Sequence, residues 1–226
     1  MRAVKRLSIP VEECVSLHYA EVPAQPWPAL AAAWLPRLPT AKRAAILRLR
    51  QPADRNASLL GVALLGAALG ARTITLEPHT LEYPAHGKPR LAAGPDFSIA
   101  HAAGYVGCAL ATVGFVGFDF EARGAVTPAA LRLVRGAAEL ARLAGDRLDA
   151  DAVWVMTEAV LKAAGRGIDA AARVRLATEA GTLDGARFAL APVMLEPTLV
   201  AWVAHQGEAL ALCTVRHGAG EFAPLP

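Results

Sequence analysis

The chain has 226 residues, of which 54% are hydrophobic, and it carries a formal net charge of +3 at pH 7. A chain of this length and apolarity can bury a sizeable core, as one large domain or as two small ones. The high apolar content and the small net charge exclude general disorder, and the sequence pI of about 9.0 is compatible with an anionic ligand.

Cysteine usage and apolar segments predict a cytoplasmic protein without a membrane anchor. Cys14, Cys108 and Cys213 are far apart and form no C-x-x-C pair, so neither a disulfide framework nor a structural zinc site is expected. The N-terminal residues lack the apolar core of a secretory signal. The most apolar run, residues 59–71, has 13 residues, whereas a membrane span needs about 20, so we interpret it as a buried helix.

Apolar periodicity and turn residues predict similar elements twice along the chain. The first series is a strand, three helices and four strands, predicted at residues 14–22, at 26–35, 40–50 and 53–70, and at 72–76, 97–101, 105–112 and 115–121. The second is two helices and four strands, predicted at residues 128–143 and 149–164, and at 174–178, 187–194, 199–205 and 209–215. We therefore expect an α+β fold of two similar, pseudo-twofold halves, residues 1–114 and 115–226, each with a small, mostly antiparallel sheet packed with helices.

Two acidic residues alternate with phenylalanines in the segment GFDFE at residues 117–121. Because side chains of a strand alternate between its faces, Asp119 and Glu121 point to one side, and Phe118 and Phe120 point to the other. Neighbouring carboxylates repel each other unless a cation lies between them, and Mg²⁺ is commonly held by one or two protein carboxylates together with phosphate oxygens. The segment predicts either a metal site or a solvated acidic strand end.

A second candidate pair lies in the predicted helix that Gly165 and Gly167 close. Glu158 and Lys162 are four residues apart, so they share a helix face, and Trp154 lies on the same face. Aromatic residues are usually buried, which puts the pair at the edge of the buried surface. An ordinary surface ion pair explains this spacing as well as a catalytic pair does.

Basic residues supply a third set of candidates, for binding phosphate. Lys88 lies in the segment Gly-Lys-Pro, and His101 ends the predicted strand that follows it. Their alternatives are a surface-loop lysine and a strand-end histidine. A basic stretch precedes them, and it comprises Arg37, Lys42, Arg43, Arg48, Arg50 and Arg55. This stretch is open to a nucleotide-binding role or a solvated helix face, but it has no interleaved aromatic residues, so we do not expect nucleic-acid binding.

The order and spacing of these segments are more specific than any one of them. The chain has GKP at residues 87–89, FSIAHA at 97–102, GFDFE at 117–121 and WVMTEAVLKAAGRGI at 154–168. The series resembles the 4′-phosphopantetheinyl transferases of the larger, surfactin-synthetase-activating type. That family has GKP, a phenylalanine-containing strand ending in histidine and serine, a Gly-x-Asp-x-Glu strand, and a Trp-x-x-Lys-Glu-x-x-x-Lys helix ending in Gly-x-Gly. The resemblance covers residues 37–168, and the remainder shows only β character.

The resemblance implies a magnesium-dependent enzyme that moves phosphopantetheine from coenzyme A onto a serine of an acyl or peptidyl carrier protein. It implies that Asp119, Glu121 and Glu158 bind Mg²⁺, and that Glu158 and Lys162 are the catalytic residues. Its acceptors are folded carrier proteins, typically acidic, and its members of this type are usually monomers.

The resemblance also assigns the coenzyme A contacts. It gives the phosphates of coenzyme A to Lys88, His101 and Lys162, and places Lys42 and Arg43 near the 3′-phosphoadenosine end. Arg55 is a further candidate for binding coenzyme A, as a substitute for the family arginine that is absent at Ala57. Ala57, Ala100 and Thr157 depart from the family pattern: the family has arginine at the first position and lysine at the last, and Ala100 and Ala102 flank His101 where the family normally has a serine beside the histidine. A relative that binds coenzyme A or a carrier protein without transferring is the main alternative, and a basic nucleic-acid-binding module is a more distant one.

Overall fold

The computed structural model describes residues 14–84, 87–136, 139, 148–207 and 211–222. The described strands are β1 (Cys14–Glu21), β2 (Leu81–Glu82), β3 (Arg90–Leu91), β4 (Asp96–Ala102), β5 (Tyr105–Ala111), β6 (Val116–Ala122), β7 (Arg175–Ala177), β8 (Ala180–Leu183), β9 (Ala186–Pro192), β10 (Leu199–His205) and β11 (Ala211–His217). The described α-helices are α1 (Pro28–Trp34), α2 (Thr40–Arg48), α3 (Pro52–Gly70), α4 (Pro128–Arg135) and α5 (Ala150–Ala163). The α+β class is therefore confirmed.

Two larger sheets and one two-stranded sheet contain the described strands. Sheet I has the order β11-β1-β5-β4, and its strands are antiparallel except for the parallel pair β1 and β11. Sheet II has the order β6-β10-β9-β8-β7 and is antiparallel throughout. The mostly antiparallel character was predicted, whereas the division of the chain at residue 114 and the pseudo-twofold relation of its halves stay predictions.

Helix α3 covers one face of sheet I. Proline at its first position fits the helix entry, because its fixed φ suits the first turn and it lacks an N–H that would have no partner there. Most of its residues between Leu59 and Leu69 are buried, and they form a core with Phe97 of β4 and Leu110 of β5. The apolar run at residues 59–71 is thus a buried helix, as predicted. No helix in the described ranges is both long and apolar enough to cross a bilayer.

A second core lies between the two sheets, and a third lies under α5. Val15 and Leu17 of β1 pack with Phe118 and Phe120 of β6 in the core between the sheets. Helix α5 packs its buried face onto sheet II, largely against β6 and β10. Asp149 caps the start of this helix, because its Oδ1 accepts a hydrogen bond from the Ala152 amide at 2.7 Å.

The edges of the two sheets meet where β4 lies beside β6. Within the described lengths of these strands no backbone ladder joins them, and side chains of β4 make the link instead. The Phe118 amide donates to Ser98 Oγ at 3.1 Å, and the Val116 amide donates to Asp96 Oδ2 at 2.7 Å. We call this junction, from Asp96–Val116 to Ser98–Phe118, the seam.

Two sequence predictions need correction. Residues 72–76 are not a strand but a turn and irregular backbone, because Thr73 has a φ of 60°, a left-handed conformation foreign to strands. Gly181 does not mark a turn but lies inside β8, where a Cβ would come within 2.5 Å of the Val160 side chain. The strand predicted at residues 209–215 is confirmed as β11 (Ala211–His217), and residues 209 and 210 lie outside the described ranges.

The helix predicted at residues 128–143 is α4 as far as Arg135. Thr127 caps its start, with Oγ1 accepting a hydrogen bond from the Ala130 amide at 3.2 Å. The rest of that prediction falls mainly on residues 137, 138 and 140–143, which lie outside the described ranges.

Candidate active site

Strand β6 presents its phenylalanines and its carboxylates to opposite sides. Phe118 and Phe120 are fully buried in the core between the sheets. Asp119 and Glu121 therefore face the other side, where α5 packs. Asp119 is only 8% exposed, and Glu121 is half-buried. The predicted alternation is confirmed, and it brings two acidic side chains to the helix-covered face of sheet II.

Gly117 sets how closely α5 approaches β6. A Cβ at this position would lie 1.9 Å from the Ala159 carbonyl oxygen and 2.4 Å from the Ala163 amide nitrogen. These are backbone atoms of the helix, which cannot move aside as a flexible side chain can. Only glycine lets the helix backbone rest on the strand here, so the turn of α5 between Ala159 and Ala163 lies directly above β6.

Asp151 fixes the start of α5, and this role was not predicted from the sequence. Its Oδ2 accepts the Gly124 amide at 2.6 Å and its Oδ1 accepts the Val126 amide at 2.9 Å. The side chain is buried, so both oxygens satisfy amides of the turn that follows β6. The sequence signal that could have identified Asp151 is an acidic residue in the first turn of a helix, on a face that is otherwise apolar and buried.

The half-buried face of α5 carries the second pair of candidate residues. Trp154, Glu158 and Lys162 are all half-buried, whereas their neighbours in the helix are buried. The shared face was predicted. The ion pair of Lys162, however, reaches across to β6, with Nζ at 2.6 Å from Asp119 Oδ1. The alternative of an ordinary pair confined to the helix surface therefore does not describe Lys162.

The three carboxylates form one electrostatic group. Burial raises the pKa of Asp119, and the ammonium of Lys162 opposes that rise. Burial and then the charge of Asp119 raise the pKa of Glu121 and also that of Glu158. Lys162 is a neighbour of all three carboxylates, and its single positive charge leaves their mutual repulsion incompletely balanced.

This group suits a hard divalent cation in its donor chemistry. Asp119, Glu121 and Glu158 offer only carboxylate oxygens, which Mg²⁺ prefers. Among the described residues, no three His, Cys, Asp or Glu side chains are grouped closely enough to hold a metal ion as they stand. With Lys162 on Asp119, a cation would need side-chain adjustments that draw the carboxylates around it.

His101 lies near this group from the side of sheet I. Ile99, two residues earlier on β4, faces α3, because a Cβ on Gly61 would lie 2.9 Å from its side chain. His101 shares that face of the strand and is exposed. Burial raises the pKa of Asp119, and His101 is close enough for its charge to oppose that rise. The imidazole thus lies within electrostatic range of the acidic group.

Lys88 is placed differently from an open phosphate ligand. Its Nζ contacts Asp96 Oδ2 and the carbonyl oxygen of Val116, both at the seam. Burial lowers the pKa of Lys88, and Asp96 opposes that shift. Lys88 also lines a cleft of about 490 Å³ between the loop after Tyr83, the end of α5 and the β8–β9 hairpin. None of the three carboxylates lines this cleft.

The remaining basic candidates lie on α2 and at the start of α3. Lys42 Nζ lies 5.0 Å from the centre of the Tyr83 ring, and burial lowers the pKa of this lysine. Arg43 is half-buried on the same helix. Arg55 donates to the carbonyl oxygens of Leu49 at 2.9 Å and Arg50 at 3.1 Å, so its guanidinium closes the end of α2.

The three departures from the family pattern are buried positions. Ala57 is 6% exposed, Ala100 is 2% exposed and Thr157 is 1% exposed. Thr157 Oγ1 donates to the Val153 carbonyl oxygen at 2.6 Å, so its hydroxyl is used inside the helix. None of these three side chains is therefore open to solvent to any large extent.

A comparison with protein-family models finds no match for this chain, and a comparison with curated protein sequences finds none either. Its function is therefore inferred from its own side chains and their arrangement.

Proposed function

We propose that this chain is a 4′-phosphopantetheinyl transferase, which moves phosphopantetheine from coenzyme A onto a serine of a carrier protein. One observation carries the proposal. Lys162 of α5 pairs with Asp119 of β6, with Nζ 2.6 Å from Oδ1, and Glu121 and Glu158 both lie within electrostatic range of this pair. These residues were selected from two segments separated by more than thirty positions in the sequence, and they form one electrostatic group.

Asp119, Glu121 and Glu158 would hold Mg²⁺. When bound, Mg²⁺ would neutralise pyrophosphate oxygens of coenzyme A and help to align them for in-line displacement. Burial raises the pKa of all three carboxyls, and the charge of Asp119 raises the pKa of Glu121 and of Glu158 further, a repulsion that a cation would relieve. Helix α5 therefore brings the third carboxylate of the set to the two that β6 supplies.

Transfer forms one bond and breaks another at the same phosphorus. The serine hydroxyl oxygen of the carrier attacks the phosphorus that bears pantetheine, and the bond from this phosphorus to the bridging oxygen breaks. The leaving group is 3′,5′-bisphosphoadenosine. The serine proton passes to Glu158, which acts as the general base. Lys162 stabilises the negative charge that develops on the leaving phosphate.

The surrounding basic residues suit the other parts of coenzyme A. His101, within electrostatic range of Asp119, lies on the sheet I side of the acidic group. Lys42 and Arg43 of α2 would lie near the 3′-phosphoadenosine end, and Arg55 supports the end of the same helix. A net charge of +3 favours an acidic carrier protein, and that contact should weaken with salt. We propose a cytoplasmic monomer that binds no nucleic acid.

The decisive experiment incubates the protein with coenzyme A, Mg²⁺ and a panel of apo carrier proteins. A carrier mass gain equal to phosphopantetheine, lost when Mg²⁺ is chelated, is the expected result. Asp119→Ala should abolish the gain, and the exposed Asp169→Ala should keep it. Wild-type transfer by Asp119→Ala would remove the metal assignment.

A non-transferring relative is the second candidate, and two observations favour it. Lys162 forms an ion pair with Asp119, which a cation would have to displace. Within the described ranges, no three His, Cys, Asp or Glu side chains are grouped closely enough to hold a metal ion. Such a relative would bind coenzyme A in calorimetry but modify no carrier in the panel. A nucleic-acid-binding module would instead be retained on heparin, elute at modest salt and be indifferent to coenzyme A.

A further inference from the structure

The seam between sheets I and II depends on few side chains. Strands β4 and β6 run alongside each other without a backbone ladder in their described lengths, so the hydrogen bonds of Asp96 and Ser98 to β6 supplement the apolar core between the sheets in holding the two strands together. Ser98 is fully buried and bonds Phe118, in the middle of β6. Asp96 bonds Val116, the first residue of β6. Loosening either link frees the edge that carries Asp119.

Lys88 completes the second of these links. Its Nζ contacts Asp96 Oδ2 and the Val116 carbonyl oxygen, and Asp96 Oδ2 also accepts the Val116 amide. Lys88 therefore neutralises Asp96 and binds the residue that Asp96 binds. The side chains of the pair are only 11% and 15% exposed, which makes each a costly charge without the other.

Gly87, the residue directly before Lys88, has a backbone conformation that allows the lysine to enter the seam. Gly87 has a φ of 90°, a conformation that residues with a side chain rarely adopt. A Cβ on Gly87 would also lie 3.2 Å from the carbonyl oxygen of Gly165, just beyond the end of α5. Glycine at this position lets the loop pass close to α5 while it turns Lys88 towards the seam.

We propose that Lys88 is a positioning residue that fixes the start of β6, rather than a direct ligand of a coenzyme A phosphate. A phosphate would have to draw its ammonium away from a buried carboxylate and a carbonyl oxygen. Val116 lies one residue before Gly117 and three before Asp119, so the tie sets the strand against α5 and with it the acidic group. The seam tie stands on contacts alone, while its effect on coenzyme A rests on the proposed function.

The effect of Asp96→Asn on coenzyme A binding distinguishes a positioning role of Lys88 from a role as a phosphate ligand. Lys88→Met keeps the apolar stem and removes the charge, and Asp96→Asn keeps the shape and frees the lysine. A positioning residue predicts that both variants weaken coenzyme A binding in calorimetry, and that the double variant is no worse than the more affected single one. A phosphate ligand predicts that Lys88→Met weakens binding while Asp96→Asn leaves it unchanged or strengthens it, which would overturn the proposal.

A second readout does not depend on coenzyme A at all. Amide hydrogen exchange at Val116 and Phe118 should accelerate by about tenfold or more in Lys88→Met and in Asp96→Asn, because local opening of the seam becomes easier. Arg90→Met is the matched control, since Arg90 lines the same cleft but pairs with Glu82 at the surface. Unchanged exchange at Val116 in Lys88→Met refutes the tie even if the protein binds no coenzyme A. Accelerated exchange without coenzyme A binding supports the tie and removes the proposed function.

Discussion

Lys162 Nζ lies 2.6 Å from Asp119 Oδ1, and this ion pair joins α5 to β6 across 43 positions of the sequence. Asp119 is buried and Lys162 is half-buried, so the pair extends from the buried strand towards the solvent. In the proposed reaction Lys162 has to serve a phosphate, and a cation has to take over part of its contact with Asp119. The lysine therefore acts as the positive partner of the carboxylates before ligands bind.

Replacing Lys162 should damage turnover more than coenzyme A binding. The variant Lys162→Met removes the charge that stabilises the leaving phosphate, and we expect kcat to fall by about 100-fold or more. The dissociation constant for coenzyme A should change far less, because other basic residues also face the ligand. Steady-state transfer rates and calorimetry measure the two quantities.

The control for this variant is Arg166→Met, four residues further along the chain and beyond the end of α5. Arg166 is exposed and lies 3.8 Å from Asp184, so its loss removes the same charge from the surface near the same helix end. It should retain near-normal turnover. An equal loss of binding and turnover in Lys162→Met would show that the lysine acts on the ground state as strongly as on the reaction.

Gly117 should tolerate no side chain. In Gly117→Ala the new methyl group would meet the backbone of α5 at 1.9 Å, so helix and strand must separate. We expect the free energy of unfolding to fall by about 3 kcal/mol, as for severe overpacking, and transfer to fall with it. Chemical denaturation measures the first quantity.

Gly70→Ala is the matched control for the glycine substitution. Gly70 is the last residue of α3, and a Cβ there would meet nothing within 4 Å. It should raise the free energy of unfolding by about 0.5–1 kcal/mol, because alanine loses less backbone entropy in a helix. If both variants lose stability equally, the close approach of α5 to β6 is not what requires glycine at position 117.

Much of the site could be predicted because it follows from local periodicity. Alternation along β6 puts Asp119 and Glu121 on one face, and the four-residue spacing puts Glu158 and Lys162 on one helix face. The fold class followed from the same patterns. A local pattern does not show which element packs against each face. The spacing along the helix therefore paired Lys162 with Glu158, whereas in the fold its ion pair is with Asp119 of β6.

The errors have the same origin, since each depends on contacts between distant residues. Gly181 resembles a turn residue, yet it belongs to β8 because the Val160 side chain of α5 packs against it. Residues 72–76 have strand-like composition, but Thr73 takes a left-handed conformation directly after α3. Lys88 resembles an open phosphate ligand in its Gly-Lys-Pro segment, and only the fold shows that Asp96 holds it at the seam.

Tyr83 should position Lys42 for the 3′-phosphate of coenzyme A. Lys42 Nζ lies 5.0 Å from the ring centre, a distance at which an ammonium is attracted to the aromatic face. The variant Tyr83→Leu removes the ring and should weaken coenzyme A binding by about threefold or more, while leaving binding of 3′-dephospho-coenzyme A unchanged. Tyr83→Phe keeps the ring and should behave as the wild type. Equal losses for both ligands would mean that Tyr83 only supports the fold.

A buried histidine pair ties the last described strand to the first. His18 of β1 is 4% exposed, and its Nδ1 lies 2.9 Å from Nε2 of His217 on β11. His217 Nδ1 lies 2.7 Å from a carboxylate oxygen of Glu221, so it donates to that oxygen. Burial, and then the charges of His217 and Arg72, lower the pKa of His18 to about 4.

This pair predicts a loss of stability in mild acid. The ordinary pKa of histidine is about 6.5, so in the unfolded chain His18 is protonated below that pH. In the folded chain His18 stays neutral until the pH falls to about 4. The contribution of neutral His18 is therefore fully present above pH 6.5 and falls away as the pH drops to about 4, by about 3 kcal/mol in total. Denaturation of the wild type and His18→Gln across this range measures it. The slope should flatten in His18→Gln and persist in the exposed control His79→Gln, whereas parallel curves for the wild type and His18→Gln would show that the acid sensitivity arises elsewhere.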